Sequence, residues 1–249
     1  MPDTSDVIRL SAVADIHCNR SNRDALQALF ERASDESDIL LLCGDLADYG
    51  LVEEAHILAD VLKAAVRIPM VGVLGNHDYE NGNQNEIRQI LTDVGVALLD
   101  GEILEISGVG FAGVKGFCGG FGRHQLEAWG ERVIKRFVQE AKEEACKLEL
   151  ALARLGELPR IAVLHYSPIR ATVEGEFPEI IPFLGSSRLE EPINWFEATA
   201  VFHGHAHNGF PEGSTMRNIP VYNVALAALR KAFPDRPPFR LVEIPRPIP

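Results

Sequence analysis

Short apolar runs recur along the chain, and each of them ends in a glycine or a polar residue. The runs are rich in Val, Ile and Leu and show little alternation with polar residues, which is typical of strands that are covered on both faces. We therefore predict buried strands at five places. They are 7–14, 39–43, 70–74, 161–164 and 200–202.

Segments of helical period lie between these runs. In 24–33, 53–66 and 125–155, apolar residues recur at spacings of three and four, as they do on the buried stripe of an amphipathic helix. Strands that alternate with helices indicate an α/β layered fold. No internal repeat or linker interrupts the pattern, so residues 1–249 are predicted to form a single domain.

Two further stretches predict strands of another kind. In 103–111, two β-rich runs flank Ser107 and Gly108, which indicates an antiparallel hairpin with a tight turn. Near the end of the chain, the β-rich run 239–244 predicts one more strand. The sheet arrangement is therefore expected to include antiparallel pairing.

Polar residues of similar chemistry follow the five predicted buried strands. In α/β folds, sites form in the crevice beyond the carboxyl ends of the strands, where such residues meet. Each group alone is more typical of a surface turn, but five of them after five strands predict one shared site. Three groups begin with a glycine, which lets the chain turn sharply off the sheet. In order they are Asp15-Ile16-His17, Gly44-Asp45-Leu46-Ala47-Asp48, Gly75-Asn76-His77-Asp78, His165 and Gly204-His205-Ala206-His207.

The residue types in these groups predict metal binding. On an extended backbone residues i and i+2 point to the same side, so Asp15 can act together with His17, and His205 with His207. Carboxylate, amide and imidazole donors without a thiolate suit Mn, Fe, Zn or Mg better than a cysteine-type zinc site. The set also has more donors than one metal ion needs.

The ordered groups resemble those of the calcineurin-like metallophosphoesterase superfamily, and the stretch that carries them, 15–207, covers most of the chain. The resemblance implies a four-layer αββα sandwich of two mixed β-sheets flanked by helices, with a dinuclear metal centre at its rim. It implies that one metal ion is bound by Asp15, His17 and His207, that the other is bound by Asn76, His165 and His205, and that Asp45 bridges the two.

The resemblance also implies catalytic roles. His77 would contact the phosphate or protonate the leaving group, and Asp48, with Asp78 as a further candidate, would orient its ring. A metal-bound hydroxide would attack phosphorus in line, at a centre whose ions stand roughly 3.5–4 Å apart. Two divalent cations outweigh the charges of Asp15 and Asp45, so an acidic protein can hold an anionic substrate at this point.

Two positions separate the chain from some branches of that superfamily. Serine/threonine phosphatases and diadenosine tetraphosphatases usually carry an Arg and a Glu where this chain has Tyr49 and Asp78. The Gly-Asp-Leu-Ala-Asp and Gly-Asn-His-Asp sequences are closer to bacterial phosphodiesterases, including the class III cyclic-nucleotide type. We therefore predict a phosphodiesterase that acts on a small phosphate ester such as a nucleotide. A phosphomonoesterase of the same fold is the alternative.

Charge and composition narrow the range of partners. The formal net charge of −12 disfavours binding to nucleic acid backbones or anionic membranes, and so it disfavours a nuclease. A non-catalytic scaffold would be expected to have lost metal ligands or the catalytic His, whereas every expected position is filled here. The sequence makes no prediction of the oligomeric state.

The location is predicted from features near the N-terminus and from the cysteines. The first residues are polar and acidic rather than a basic and apolar leader, and no apolar run approaches the ~20 residues of a membrane span. The cysteines are widely spaced and are expected to be reduced thiols, with Cys18 pointing away from the metal side. Together these features predict a cytoplasmic protein. The four cysteines are Cys18, Cys43, Cys118 and Cys146.

Two insertions, at about 115–155 and 169–194, are predicted to form the substrate rim, because loops at the rim carry function in such folds. Arg123 and His124 follow a glycine-dense loop and are candidates for contact with the substrate phosphate. Residues 108–113 match Gly-x-Gly-x-x-Gly, but more glycine follows instead of a helix, so no dinucleotide-binding loop is predicted. His203, the last residue of a strand run, is expected to be structural.

Overall fold

The computed structural model describes residues 7–246, and two β-sheets lie face to face within them. The first sheet has four parallel strands, and an antiparallel strand from the end of the described chain is added at its edge. In spatial order, and numbered along the chain, these strands are β11 (Arg240–Pro245), β1 (Val7–Val13), β2 (Ile39–Cys43), β3 (Met70–Val73) and β4 (Val96–Leu98).

The second sheet is also mixed. Four parallel strands form its centre, and an antiparallel strand closes each edge. In spatial order they are β5 (Ile103–Ile106), β6 (Val109–Val114), β7 (Arg160–Leu164), β8 (Ala200–His203), β10 (Pro220–Asn223) and β9 (Glu212–Ser214).

The α-helices cover the outer faces of the two sheets. One apolar cluster joins the first three helices to the first sheet, a second cluster fills the space between the sheets, and a third joins α4 and α5 to the second sheet. This confirms the predicted four-layer αββα sandwich. The helices are α1 (Arg23–Glu36), α2 (Val52–Ala65), α3 (Gln84–Asp93), α4 (Arg132–Arg154), α5 (Ser187–Trp195) and α6 (Leu226–Ala232).

Strand β2 shows why the buried strands lack a polar alternation. Its side chains point in turn to opposite faces, and both faces are apolar. Leu40 and Leu42 pack under the helices, whereas Ile39, Leu41 and Cys43 pack between the sheets. A strand in the middle of four layers therefore has no position at which a polar side chain reaches water.

The predicted hairpin is present, and one predicted helix is shorter than expected. Ser107 and Gly108 both take positive φ angles, 54° and 79°, as a two-residue turn between twisted strands requires. The prediction of a helix over all of 125–155 is wrong at its start, because α4 begins only at Arg132. Gly130 has a φ of 70° and Glu131 is extended, so the preceding segment is irregular.

The carboxyl ends of both sheets meet at one edge. The main-chain N–H of Ala14 donates to the Val224 carbonyl at 2.9 Å, and the Leu226 N–H donates to the Ala14 carbonyl at 3.0 Å. These bonds connect the end of β1 in the first sheet to the end of β10 in the second. The polar groups that follow β1, β2, β3, β7 and β8 are thereby brought to the same side of the molecule.

No helix within residues 7–246 combines the length and the apolar character that a bilayer crossing requires. All four cysteines are free thiols, which is the state predicted from their spacing. The two insertions contain α4, α5 and several short 3-10 turns. The single-domain assignment stays a prediction.

We predict that Phe202→Ala lowers the free energy of unfolding by about 3–5 kcal/mol, because it removes a fully buried ring from the space between the sheets. Phe177→Ala is the matched control, since its ring is 73% exposed, and it should change stability by less than about 0.5 kcal/mol. Urea unfolding followed by circular dichroism measures both. Equal effects of the two substitutions would contradict this assignment of the core.

Candidate metal centre

The five polar groups converge where the two sheets end. Asp15 and Asp45 follow β1 and β2 of the first sheet, and His165 and His205 follow β7 and β8 of the second. The Asp15 carboxylate accepts the main-chain N–H of His205 at 2.9 Å. The two sheets therefore contribute side chains to one site, as the sequence predicts.

One cluster of donor atoms belongs to Asp15, His17 and His207. Their ligand atoms all lie within 4.8 Å of one another, and His207 Nε2 is 2.9 Å from Asp15 Oδ1. Asp15 is buried, whereas the two imidazoles are partly exposed. A metal ion bound here would have protein on one side and solvent on the other.

A second cluster belongs to Asp45, His165 and His205, whose ligand atoms also lie within 4.8 Å of one another. His165 Nε2 is 3.3 Å from Asp45 Oδ1 and 2.9 Å from Asn76 Oδ1. The four predicted donors of this half of the site are therefore adjacent.

The two clusters touch through Asp45. A third group of mutually close donor atoms contains His17, Asp45 and His77, so Asp45 is near residues of both clusters. The ring centroids of His17 and His77 are 4.6 Å apart. Asp45 thus occupies the position that a bridging ligand needs, and His77 lies beside it.

The backbone at the site is unusual. Asp15, His17, Asp45 and His205 have positive φ angles of 55°, 43°, 50° and 68°, a region that residues other than glycine seldom adopt. The prediction that strand alternation aligns Asp15 with His17 is therefore wrong in its geometry. The side chains converge because the chain turns into the left-handed region after β1, β2 and β8.

Main-chain hydrogen bonds hold these turns together. The N–H of Asp15 donates to the Gly44 carbonyl at 3.0 Å, and the N–H of His17 donates to the Asp45 carbonyl at 3.1 Å. The Asp45 carboxylate accepts the His77 N–H at 2.8 Å. Each turn is thus fixed by its neighbour.

Two of the glycines are required by close packing against the carboxylates. A Cβ atom added to Gly75 would overlap the Asp45 carboxylate, and one added to Gly204 would overlap that of Asp15. The sequence predicts these glycines as sharp turns off the sheet. The structure gives a second reason, because the buried carboxylates leave no space for a Cβ atom.

The charges at the site favour a bound cation. Burial by itself would lower the pKa of His165, but the adjacent Asp45 carboxylate raises it. His165 also holds the pKa of Asp45 below its ordinary value, although burial opposes this. In the protein without metal, a proton on His165 thus balances the negative charge of Asp45. A bound metal ion would balance the same charge.

Other imidazoles are ready to donate lone pairs. Burial lowers the pKa of His205 to about 4 and also lowers the pKa of His17, so both rings are neutral near pH 7. Neutral imidazole is the form that binds metals. His165 Nδ1 is 3.0 Å from the Cys43 carbonyl. Donation of the Nδ1 proton to that carbonyl directs Nε2 towards Asp45 and Asn76.

The donor atoms of the site are suited to metal ions. Both ring nitrogens of His17 are buried and have no hydrogen-bond partner among residues 7–246. Such atoms are unfavourable unless something else binds them. The nitrogen and oxygen donors of the site are those that Mn, Fe and Zn accept. A metal ion beside His17 would give one of its unpaired nitrogens a partner.

Asp48 contacts the His77 ring, as predicted, but through its main chain. The Asp48 carbonyl is 2.6 Å from His77 Nδ1. The Asp48 carboxylate instead accepts the Asn19 amide at 3.0 Å and lies 3.6 Å from His17 Nδ1. The expectation that this carboxylate orients His77 is therefore corrected to orientation by the carbonyl.

Asp78, the further candidate for orienting His77, has a structural role instead. Its carboxylate accepts the main-chain N–H groups of Ala47 and Gly75, both at 2.8 Å, and that of Leu46 at 3.1 Å. It is fully buried, and burial raises its pKa to about 6. Asp78 thus holds the turn after β2 against the turn after β3.

The remaining predicted residues lie outside the clusters. Arg123 and His124 belong to an exposed 3-10 turn, Gly122–His124, and contact each other at 3.1 Å. No hydrogen bond or ring contact within residues 7–246 joins them to the seven predicted ligands. Cys18 lies in the apolar cluster under the helices, and its assignment as a non-ligand stays a prediction.

His203 is structural, as expected. Its Nδ1 is 2.8 Å from the Gly204 carbonyl, and its Nε2 is 2.8 Å from the Thr172 hydroxyl. Both nitrogens are thus used within the fold, and burial lowers the pKa of the ring to about 4. The ring supports the turn that carries His205.

Three residues near the site were not found from the sequence. The Tyr166 ring lies 4.4 Å from that of His205, Asn223 donates to the Ala206 carbonyl at 2.7 Å, and Asn22 donates to the His17 carbonyl at 2.9 Å. Tyr166 could have been noticed as the neighbour of His165. Asn223 ends a strand in the same way as the five groups, whereas nothing in the pattern marks Asn22.

Solved structures share this fold at low sequence identity. The phosphopantetheinyl hydrolase from Mycobacterium tuberculosis is 15% identical and aligns with a TM-score of 0.69 over 95% of this chain and 96% of that chain. A protein from Thermus thermophilus is 16% identical, with a TM-score of 0.58 over 97% and 100%. A putative 5′-nucleotidase from Staphylococcus aureus is 14% identical, with a TM-score of 0.53 over 87% of this chain and 48% of that chain.

The family assignment rests on a sequence model. No curated protein sequence matches the chain at a significant level. Residues 8–209 match the model of the calcineurin-like phosphoesterases, and this stretch contains all five polar groups. The members of that family use a dinuclear metal centre. The chain therefore belongs to the calcineurin-like phosphoesterase family and is a metal-dependent phosphoesterase.

Proposed function

We propose that the protein is a dinuclear phosphodiesterase that hydrolyses a small phosphate ester. The observation that carries the proposal is the pair of adjacent donor clusters, which meet at Asp45 beside His77. Two adjacent metal positions with a proton donor next to them are the parts that in-line displacement at phosphorus requires.

The proposed ligands divide as the clusters do. Asp45 bridges the two ions, which are Mn, Fe, Zn or Mg. The open side of the first cluster leaves room for the substrate phosphate. One ion is held by Asp15, His17 and His207, and the other by Asn76, His165 and His205.

When bound, the metal ions supply an activated water and neutralise the phosphoryl oxygens. The protein contributes position and charge. Asp15 and Asp45 are held in place by main-chain N–H groups, so they need not reorganise during the reaction. Two divalent cations exceed the charge of these two carboxylates, and an anionic substrate is therefore attracted to an otherwise acidic protein.

His77 is the proposed proton donor to the leaving oxygen. Its Nδ1 lies 2.6 Å from the Asp48 carbonyl and can donate its proton there, which leaves Nε2 as the atom that can deliver a proton to the substrate. Imidazole is the side chain that most often serves as a general acid. His77 also donates its main-chain N–H to Asp45, a bond that does not depend on the ring.

The substrate class is proposed from the names of structural neighbours and from charge. A phosphopantetheinyl hydrolase and a putative 5′-nucleotidase are among them, and both names refer to phosphate esters. The net charge of −12 disfavours a nucleic acid substrate. A phosphomonoesterase with the same site is the second candidate, favoured by the nucleotidase.

The free cysteines agree with a cytoplasmic location.

We predict that Asp45→Asn lowers the content of bound metal and abolishes most of the activity, because the substitution removes the charge shared by both clusters. Purified protein should be stripped with a chelator, reloaded with Mn, Fe, Zn or Mg, and analysed by elemental mass spectrometry. His56→Gln is the control, since His56 is exposed on α2, and it should bind as much metal as the unsubstituted protein. Full metal occupancy in Asp45→Asn would contradict the bridging role.

We predict that His77→Ala keeps both metal ions but lowers kcat by roughly 10²–10⁴-fold, the usual contribution of a general acid. A substrate whose leaving group needs no proton, such as a nitrophenyl ester, should lose less activity than one with an alkyl leaving group. An unchanged kcat on the alkyl ester would rule out the proton donor.

We predict that bis(4-nitrophenyl) phosphate is hydrolysed with a kcat/KM at least about tenfold above that of 4-nitrophenyl phosphate, a difference of about 1.4 kcal/mol. The comparison uses the metal that restores the most activity and includes cyclic nucleotides as further diesters. The opposite order would favour the phosphomonoesterase.

A further inference from the structure

A cavity of about 350 Å³ lies beside the metal centre. Its walls come from the two insertions, and most of the lining is apolar. Ligand pockets for small molecules fall in this range of size and character. The main apolar residues are Leu126, Trp129, Phe137, Pro182 and Phe183.

The cavity adjoins the proposed ligands at two points. The carbonyl of Phe183, whose residue lines the cavity, is 3.3 Å from His205 Nε2. On the other wall, aromatic rings connect Phe137 to the metal site. The centroids of Phe137 and Phe117 are 5.0 Å apart, those of Phe117 and Tyr166 are 5.9 Å apart, and those of Tyr166 and His205 are 4.4 Å apart. The cavity and the metal site are therefore neighbours that share Phe183.

The walls are fixed to each other by main-chain bonds. Gly119 donates to the Pro182 carbonyl at 2.9 Å, and Leu126 donates to the Gly119 carbonyl at 2.7 Å. The segment 119–126 thus bridges to the turn at 182–183. Such bonds pre-form the cavity, so little conformational entropy is lost when a ligand enters it.

Two large aromatic side chains in this cavity are left open to solvent. Trp129 is 64% exposed and Phe183 is 56% exposed, although burial of such rings is strongly favourable. Flat aromatic faces next to a phosphate site are suited to stacking against a planar ring.

Polar groups also line the cavity. His124 is one of them, and Gln125 is another. Gln125 Oε1 is buried and has no hydrogen-bond partner among residues 7–246. An N–H or O–H group at the edge of a bound ring would relieve this unpaired acceptor. The predicted substrate residue His124 thus lies in the wall of this cavity.

We propose that this cavity is a specificity subsite that binds a planar aromatic group of the phosphate ester while the phosphate lies at the metals. The proposal rests on the proposed function, because it places the two parts of one substrate in adjoining sites. A nucleobase and a simple aryl group share the required flat ring. The subsite supplies binding and orientation and takes no part in proton transfer.

The first experiment measures binding without catalysis. The chain has two tryptophans, so a Trp195→Phe variant reports fluorescence from Trp129 alone. Metal-stripped protein is titrated with adenosine, benzyl alcohol and the non-planar cyclohexylmethanol. We expect saturable changes with one or both aromatic probes at about tenfold tighter affinity than with cyclohexylmethanol, and the tighter aromatic probe identifies the source of the ring.

Phe183→Ala in the same background should weaken aromatic binding by about tenfold, and its exposed ring makes a folding defect unexpected. Equal affinity for cyclohexylmethanol and the aromatic probes would overturn the proposal, as would unchanged affinity in Phe183→Ala. Because no turnover is needed, this result stands even if the proposed reaction is wrong.

The second experiment uses two diesters with the same leaving group. These are the methyl ester of benzyl phosphate and the methyl ester of cyclohexylmethyl phosphate, of which only the first carries a planar ring. Trp129→Ala should lower kcat/KM for the benzyl ester by about tenfold and leave the cyclohexylmethyl ester unchanged. Trp195→Ala, which removes an exposed tryptophan from α5, should alter neither. Equal losses on both esters in Trp129→Ala would overturn the subsite, whereas absence of all turnover would count against the proposed function alone.

Discussion

The site depends on the way in which two buried carboxylates bind the backbone of neighbouring turns. Asp15 accepts the N–H of His205, and Asp45 accepts the N–H of His77. Each carboxylate comes from the first sheet, and His205 comes from the second. These bonds keep the strand ends together and also fix the oxygen atoms that are proposed to bind metal. A buried carboxylate that accepts N–H groups in this way is held in a fixed position.

The same arrangement explains the strained backbone. Asp15, Asp45 and His205 occupy left-handed conformations that cost on the order of 1 kcal/mol or more each. The hydrogen bonds between the turns and the close packing of Gly75 and Gly204 against the carboxylates offset this cost. Folding thus concentrates negative charge and lone pairs at one edge, where bound cations would complete the structure. An aromatic cavity lies next to this edge, where the carbonyl of Phe183 contacts His205.

Predictions from the sequence succeeded where a short stretch of chain determines the outcome. The buried strands, the hairpin at Ser107 and Gly108, and the helices α1 and α2 follow from local periodicity and turn chemistry. The start of α4 was missed because a few irregular residues before it, including Gly130, keep some helical spacing of apolar side chains. Short elements such as β10 carry too little pattern to be recognised.

The sequence by itself determined the fold class and indicated the candidate donor residues, because apolar period and residue type are properties of consecutive positions. Only the tertiary structure decided how the donors meet, since Asp15 and His205 are joined across two sheets and are far apart along the chain. It also decided that the Asp48 carbonyl, rather than its carboxylate, contacts His77. The direction of a side chain depends on backbone angles, and these are set at the site by bonds between distant turns.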